Sequence, residues 1–322
     1  MADATAAQEE NSAREQREFE QQLCAALKNG NLVICAGAGV TLFATADASG
    51  RIHQQSLTWL RLIRSGLDYI EEHIPSAYND NNNKTRIQKA RATLDVPDRQ
   101  YSETDEAIYL DAAQTLTDIL EPFPDAFADW LSTQFRNLNE TLTHPEIHNI
   151  LKKLHRAGAQ LMTTTYDGLI EHHCGLTSLD ISRPQEGRNN KHVFHPHGEW
   201  ENPNGIVLNA SQYYEGTAAD ITPAQNLLRD MFRTKTVLFV GCGPGTGDPN
   251  FGKILKWFGS QEGHGDDGDR RHYILLRNRD NYREVEGRLP LVKVRVETVD
   301  DIPRWLEGLL ETGNRGAGGT RE

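Results

Sequence analysis

Short runs of apolar and β-branched residues alternate along most of this sequence with amphipathic helical patterns. Each run is too short for a buried helix and ends in glycine or polar residues, as strands do. Strands that alternate with helices predict a mostly parallel, doubly wound α/β sheet. The candidate strands lie at residues 31–41 (with a glycine turn), 159–167, 192–195, 236–241, 272–276 and 292–296.

One block interrupts this alternation. Between residues 56 and 139 the apolar residues recur at spacings of three and four, which is typical of helices. We therefore expect a helical subdomain (about 56–139) inserted into one Rossmann-like domain that spans 15–312. Residues 1–14 are expected to be flexible and acidic, with a helix from near Ser12, and residues 313–322 are expected to be disordered.

Composition and charge exclude several classes of function. The formal net charge of −12 argues against unspecific binding to nucleic acid. No apolar run approaches the roughly 18 residues that a membrane span needs, and the first twenty residues show no secretory signal. We expect a cytoplasmic protein that binds neither membranes nor nucleic acid directly.

A metal site has little support in the sequence. The four cysteines form no C-x-x-C pair, so a structural zinc ribbon and disulfides are not expected. His144 and His148 are spaced four apart, as two ligands on one helix face would be, but no third ligand accompanies them. We predict that the protein holds no metal.

The first candidate strand ends in a turn with two glycines, Gly37 and Gly39. Glycines at the carboxyl end of a first strand let the backbone approach a nucleotide phosphate. Many buried strands also end in glycine for packing reasons, and both interpretations stay open here. The third glycine of the Rossmann dehydrogenase motif is absent, because Leu42 occupies its position.

Three other segments place small or polar residues near candidate strand ends: 164–167, 195–198 and 241–248. The carboxyl ends of a doubly wound sheet line one crevice, where such proteins bind their ligands. We therefore expect these segments to converge with the glycine turn on a single site.

The ordered set GAGVT, TTTYD, HPHG and VGCGPGTGDPNF resembles the sirtuin-like family. The resemblance covers roughly residues 31–310. It is strongest to the branch that degrades NAD in immune and anti-phage defence, because the C-x-x-C zinc module of the deacetylases is absent. Ser56-Leu57-Thr58-Trp59 and the glycine-rich segment 243–251 are also similar to that branch.

The resemblance implies that NAD is the ligand and assigns roles to individual residues. His197 would match the catalytic histidine, and Asp167 would lie near the nicotinamide ribose. The dinucleotide itself would be held by two further groups. The pyrophosphate would be bound by Gly37, Ala38, Gly39 and Thr41. The adenosine side would be bound by Gly241, Gly243 and Asn278.

The chemistry of NAD cleavage supports part of this assignment. Breaking the nicotinamide–ribose bond develops oxocarbenium character, and nicotinamide leaves as a neutral group that needs no acid. A histidine such as His197 suits the role of a base, and a carboxylate such as Asp167 stabilises the positive charge. The alternative for His197 is a loop histidine bonded to the backbone, and we interpret His195 as structural.

One position departs from the family pattern. Thr165 stands where the resemblance implies an asparagine, and a hydroxyl offers fewer hydrogen bonds than an amide. The leading hypothesis is an NAD glycohydrolase that forms nicotinamide and ADP-ribose, with Thr165 in its catalytic site. The alternative is a non-catalytic NAD- or ADP-ribose-binding sensor or assembly module. Related enzymes imply a homo-oligomer or a regulatory partner.

Overall fold

The computed structural model describes residues 2–47, 57–95, 106–180, 191–208, 223–242, 272–280 and 291–315. Within these ranges seven parallel strands form one sheet in the order β3-β4-β2-β1-β5-β6-β7. The strands are β1 (Leu32–Ala36), β2 (Gln160–Thr163), β3 (Thr177–Asp180), β4 (His192–His195), β5 (Thr236–Val240), β6 (His272–Arg277) and β7 (Leu291–Val296). The predicted doubly wound α/β fold is confirmed, and the sheet is entirely parallel in these residues.

Eleven α-helices lie in the described ranges. They are α1 (Ala2–Lys28), α2 (Ala38–Ala44), α3 (Trp59–His73), α4 (Pro75–Tyr78), α5 (Asn81–Leu94), α6 (Glu106–Leu120), α7 (Pro124–Phe135), α8 (Glu146–Arg156), α9 (Leu169–Cys174), α10 (Pro223–Thr234) and α11 (Asp301–Arg315). Short 3₁₀ helices follow at Leu138–Thr141 and Pro203–Gly205.

Several element boundaries differ from the predicted ones. Helix α1 begins at Ala2 rather than near Ser12, and α11 continues to Arg315, beyond the predicted start of the tail. Strand β2 ends at Thr163, so that the following residues form a bend rather than a strand. The sequence did not predict β3, because this edge strand pairs only with β4 and is mostly polar.

Both faces of the sheet are covered, as the near-continuous apolar strands indicate. In β1, Leu32, Ile34 and Ala36 join one buried cluster with residues of α1, α8 and α11. Val33 and Cys35 point the other way, into a second cluster with α10. All five residues of β1 are buried, so β1 is the centre of the fold.

The inserted helices α3 to α7 pack around a core of their own, with Trp130 fully buried. Helix α5 begins at a capped terminus, because the Asp80 carboxylate accepts hydrogen bonds from the amides of Asn82 and Asn83. This core extends to Tyr166 and Leu208, which follow β2 and β4. The insertion therefore packs against the carboxyl ends of these two strands.

Candidate functional site

The order of the strands determines where a ligand crevice opens. From β1 the chain builds β2, β4 and β3 on one side, and it then returns to place β5, β6 and β7 on the other side. The point where the order reverses lies between β1 and β5. In open α/β sheets, ligands bind outside the carboxyl ends of the strands at such a point.

The turns after β1 and β5 pack backbone against backbone. We call the contact of Gly37, Gly39 and Gly241 the glycine junction. A Cβ on Gly37 would lie 2.6 Å from the Cα of Cys242, and a Cβ on Gly39 would lie 2.6 Å from the carbonyl oxygen of Gly241. Gly241 also has a φ of 68°, in the left-handed region. The packing interpretation of the two sequence glycines therefore has a direct structural cause.

Most amides of the turn are bonded within the protein. Gly37 N–H donates to Val240 O and Gly39 N–H donates to Gly241 O, both at 2.8 Å. Val40 N–H donates to Gly37 O at 2.9 Å. Among the described residues, Ala38 N–H is the amide of this turn that has no backbone partner. A phosphate at the turn would therefore bind chiefly through Ala38, and Gly243 lies outside the described residues.

A second, polar junction forms where β2 and β4 end. We use this name for Thr164, Thr165, Asp167, His195 and His197. Pro196 and a tight turn bring both histidines back onto the bend after β2, and Gly198 N–H closes that turn onto His195 O at 3.1 Å. Gly198 requires its glycine, because φ is 83° and a Cβ would lie 2.1 Å from Gly205 O.

His197 is buried, with 1% of its surface exposed. Its Nδ1 lies 3.1 Å from the carbonyl oxygen of Thr164. A carbonyl only accepts, so Nδ1 carries the proton and the lone pair of the neutral ring is on Nε2. The ring therefore has a fixed tautomer, with Nε2 as its basic atom.

Asp167 lies in a buried network of donors. Its Oδ2 accepts a hydrogen bond from the Thr41 hydroxyl at 2.8 Å, and its Oδ1 accepts one from Leu169 N–H at 3.1 Å. Burial raises the pKa of Asp167, although these two donors oppose the shift and Glu171 adds to it. The Thr41 hydroxyl, predicted to bind pyrophosphate, donates to Asp167 in this structure.

Thr165 is held by its neighbours in the bend. Thr163 donates its hydroxyl proton to Ala36 O at 3.0 Å, so the Thr165 hydroxyl, 2.8 Å away, is the donor between the two threonines. The Thr165 side chain is also a donor to Asp167, where it opposes the rise in pKa that burial causes. Two acceptors therefore compete for one hydroxyl proton.

His195 forms a buried ion pair with Glu171, which the sequence reasoning did not identify. The distance from His195 Nε2 to Glu171 Oε1 is 2.6 Å, and His195 Nδ1 lies 3.2 Å from Thr165 O. Burial alone would lower the pKa of His195, but the Glu171 carboxylate outweighs it and raises the pKa to about 9. The imidazolium thus holds the Thr165 backbone, and the structural interpretation of His195 fits this geometry.

Glu199 is a further buried carboxylate near the polar junction. Burial raises its pKa, while a hydrogen bond from Ser178 and the charge of His195 oppose the shift. The sequence held only a weak signal for the two glutamates: Glu171 follows Asp167 by four residues, and Glu199 follows His197 by two. The sequence alone could not place either glutamate at the site, because their meeting depends on the turn at Pro196.

The structure brings His197, Asp167 and Thr165 together, whereas Asn278 lies apart. Asn278 follows β6, two strands away from β1, and is exposed. Its amide donates to Val296 O at 2.8 Å, toward the far edge of the sheet. Within the described part of the chain, no contact joins Asn278 to the polar junction.

The histidine pairs do not build a metal site in the described ranges, where no group of three or more possible ligands converges. His148 is buried, while His144 Nδ1 turns to Glu146 Oε1 at 3.1 Å. Of the helices that the structure describes, none combines the length and the apolar character that crossing a bilayer requires.

Comparison with known protein families gives a match that includes the polar junction. Residues 159–294 match the family model of the SIR2-like domain. This range begins just before β2, includes both glutamates and both histidines of the site, and ends within β7. Strand β1 and its glycine turn precede the matched range but form the centre of the same sheet. Residues 159–294 of this chain are therefore similar to the SIR2-like domain.

Proposed function

We propose that this protein is an NAD glycohydrolase that converts NAD and water to nicotinamide and ADP-ribose. The SIR2-like match supports an NAD-related function in general. The observation that carries the finer proposal is the buried His197, whose Nδ1–H is held by Thr164 O so that Nε2 is the basic atom.

In this proposal His197 acts as the general base. Its Nε2 takes a proton from the attacking water, directly or through a ribose hydroxyl. The water oxygen bonds to the anomeric carbon, and the electron pair of the broken bond goes to the pyridinium nitrogen. Nicotinamide leaves neutral, and one proton is released for each NAD consumed.

Asp167 has the electrostatic role. Its ionised carboxylate stabilises the positive charge that develops at the anomeric carbon. The donors Thr41 and Leu169 hold both oxygens in place, so that little reorganisation is needed during the reaction. The raised pKa implies that activity falls in acid as Asp167 takes up a proton.

The dinucleotide is proposed to lie across the switch point between β1 and β5, with its pyrophosphate at Ala38. The dinucleotide would approach the backbone closely here, because Gly37, Gly39 and Gly241 have no side chains. Asn278, which is exposed after the carboxyl end of β6, would bind the adenine ribose.

Incubation of the purified protein with NAD, followed by chromatography of the products, tests the proposal. We expect nicotinamide and ADP-ribose in equal amounts. His197→Ala should reduce the rate by about 10²- to 10⁴-fold, the contribution of a positioned base. His192→Ala is the matched control, because this half-buried histidine opens strand β4, which His197 follows, and contacts Thr177.

Retained nicotinamide release in His197→Ala would contradict the catalytic role. Calorimetry with NAD separates the second candidate, a binding or sensor module, which would bind NAD without releasing nicotinamide. The specific observation that favours this candidate is the Thr165 hydroxyl, which is already engaged by Thr163.

The biological setting in the proposal is defence, in the cytoplasm, with the protein acting as a homo-oligomer or under a regulatory partner. The motif resemblance supports this setting. Light scattering gives the oligomeric state, and cellular NAD levels during phage challenge test the defence role. Unchanged NAD levels in challenged cells that contain the protein would count against it.

A further inference from the structure

A cavity of about 460 Å³ lies beside the polar junction. Its walls come from the end of α7 and the 3₁₀ turn after it, the start of α9, strand β3 and the segment after β4. This volume is within the range of small-molecule binding sites. The cavity shares Asp167 with the proposed catalytic site but extends away from the glycine junction.

The walls of this cavity carry an excess of negative charge. Asp167, Glu171 and Glu199 are each at least nine-tenths buried, and Glu201 is exposed at the mouth. The His195 imidazolium pairs with Glu171, and its charge also acts on Glu199 and Asp167, so one cation faces three buried carboxyl groups. Arg136 also lines the cavity, but none of the ion pairs in the described residues joins it to these carboxylates. Buried carboxylates that outnumber their counter-charges favour a cationic ligand.

One carboxylate oxygen specifically requires a donor. Glu171 Oε1 accepts from His195, while Oε2 is buried and has no hydrogen-bond partner among the described residues. A buried acceptor without a partner is costly, and such atoms are rare in native proteins. Gly168 lies near both glutamates. A Cβ on Gly168 would be 4.0 Å from Glu171 Oε2 and 3.3 Å from Glu199 Oε1.

Aromatic side chains complete the walls. Phe135 contributes from the end of α7 and Trp200 from the segment after β4, where its amide is fixed to Tyr166 O at 2.9 Å. A guanidinium combines a planar fork of donors for two carboxylates with a face that stacks on aromatic rings. An ammonium has neither the fork nor the flat face. The described residues contain no group of three or more metal ligands here, and the aromatic walls favour an organic cation.

We propose that the cavity formed by α7, α9 and the segment after β4 binds a guanidinium group, such as an arginine side chain. The cation lies beside the carboxyl groups of Glu171 and Glu199 and against Phe135 and Trp200. This site goes beyond the proposed NAD cleavage, and binding is measured without NAD. Failure of one proposal therefore leaves the other intact.

Calorimetry of the full chain with N-acetyl-arginine methylamide tests the site, with the neutral citrulline analogue as the isosteric control. We expect the arginine probe to bind at least about tenfold more tightly than the citrulline probe, because only the former carries charge to the carboxylates. The lysine analogue should bind more weakly than the arginine probe, because it lacks the fork.

Two glutamate variants make the test specific. Glu199→Gln removes a buried charge and should weaken the arginine probe about tenfold, whereas Glu201→Gln removes an exposed one and should change affinity less than about threefold. Near-UV circular dichroism checks that both variants fold. Equal affinity for the arginine and citrulline probes, equal effects of the two variants, or no binding of the arginine probe at millimolar concentration would each overturn the proposal.

Discussion

The glycine junction and the polar junction lie on the same edge of the sheet but are built in opposite ways. At the first, Gly37, Gly39 and Gly241 let two backbones touch, and the small Cys242 thiol lies beside Gly37. At the second, β2 and β4 are joined by side chains, with His197 on Thr164 O and His195 on Thr165 O. One junction depends on the absence of side chains and the other on charged, hydrogen-bonded ones.

This difference shows that the glycine pattern and the set of candidate catalytic residues determine different properties of the site. The glycines fix how close β1 and β5 come and so set the floor of the crevice. The histidines and carboxylates set the chemistry at its side. Mutations at the first should therefore change stability, and mutations at the second should change stability, pH dependence and activity in ways that can be told apart.

The largest stability effect is expected at the ion pair of the polar junction. Glu171→Gln removes the nearest counter-charge of the buried His195 imidazolium, so that the ring either stays charged without it or becomes neutral and keeps only uncharged hydrogen bonds. We expect a loss of about 3–5 kcal/mol in the free energy of unfolding, measured in urea.

The matched control is the surface pair of Lys153 and Glu307, whose side chains are about half exposed (56% and 48%). Glu307→Gln should change stability by less than about 0.5 kcal/mol. Similar losses in both variants would mean that the buried pair does not hold the polar junction together.

The next effect is expected at the glycine junction. Gly39→Ala places a Cβ 2.6 Å from Gly241 O, a backbone atom that cannot rotate away. We expect a loss of about 3 kcal/mol. Gly308→Ala is the matched control, because no atom lies within 4 Å of its Cβ position in helix α11. That variant should gain about 0.5–1 kcal/mol from helix propensity, and tolerance of Gly39→Ala would refute the packing role.

The pH dependence of stability sharpens the comparison. The pKa of His195 is raised to about 9, against about 6.5 in an unfolded chain. Its contribution is therefore complete below pH 6.5 and is lost as the pH rises through 9. Between pH 7 and 9 we expect a fall of about 2 kcal/mol in the free energy of unfolding.

Urea unfolding at pH 7, 8 and 9 measures this fall. The measured pH range ends at the ordinary pKa of a thiol. At higher pH the buried Cys24, whose pKa is also raised, would add its own pH dependence to the free energy of unfolding. Glu171→Gln should flatten the profile, whereas Gly39→Ala should lower it without changing its slope. An unchanged slope in Glu171→Gln would exclude His195 as its source.

The fold was largely predictable from the sequence, and the site only in part. Strands such as Thr236–Val240 carry their signal in consecutive apolar residues, so their positions were confirmed within a residue. Edge strand β3 lacks that signal because only one neighbour strand pairs with it. The His195–Glu171 pair joins residues 24 apart, and the bond of Thr41 to Asp167 spans 126. Such contacts depend on the folded register of β2 and β4, which no local pattern contains.

The smallest expected effect is on turnover at Thr165, the position where the polar junction departs from the family pattern. Thr165→Asn exchanges a hydroxyl engaged by Thr163 for a longer amide with both donors and acceptors. If the proposed chemistry holds, we expect the rate of nicotinamide release to rise about tenfold, roughly one added hydrogen bond in the transition state. Thr165→Val is the control, because it keeps the branched shape, lacks any donor and should give no gain. An equal rise in both variants would assign the effect to loosening of the bend, and no rise in Thr165→Asn would mean that the threonine does not limit catalysis.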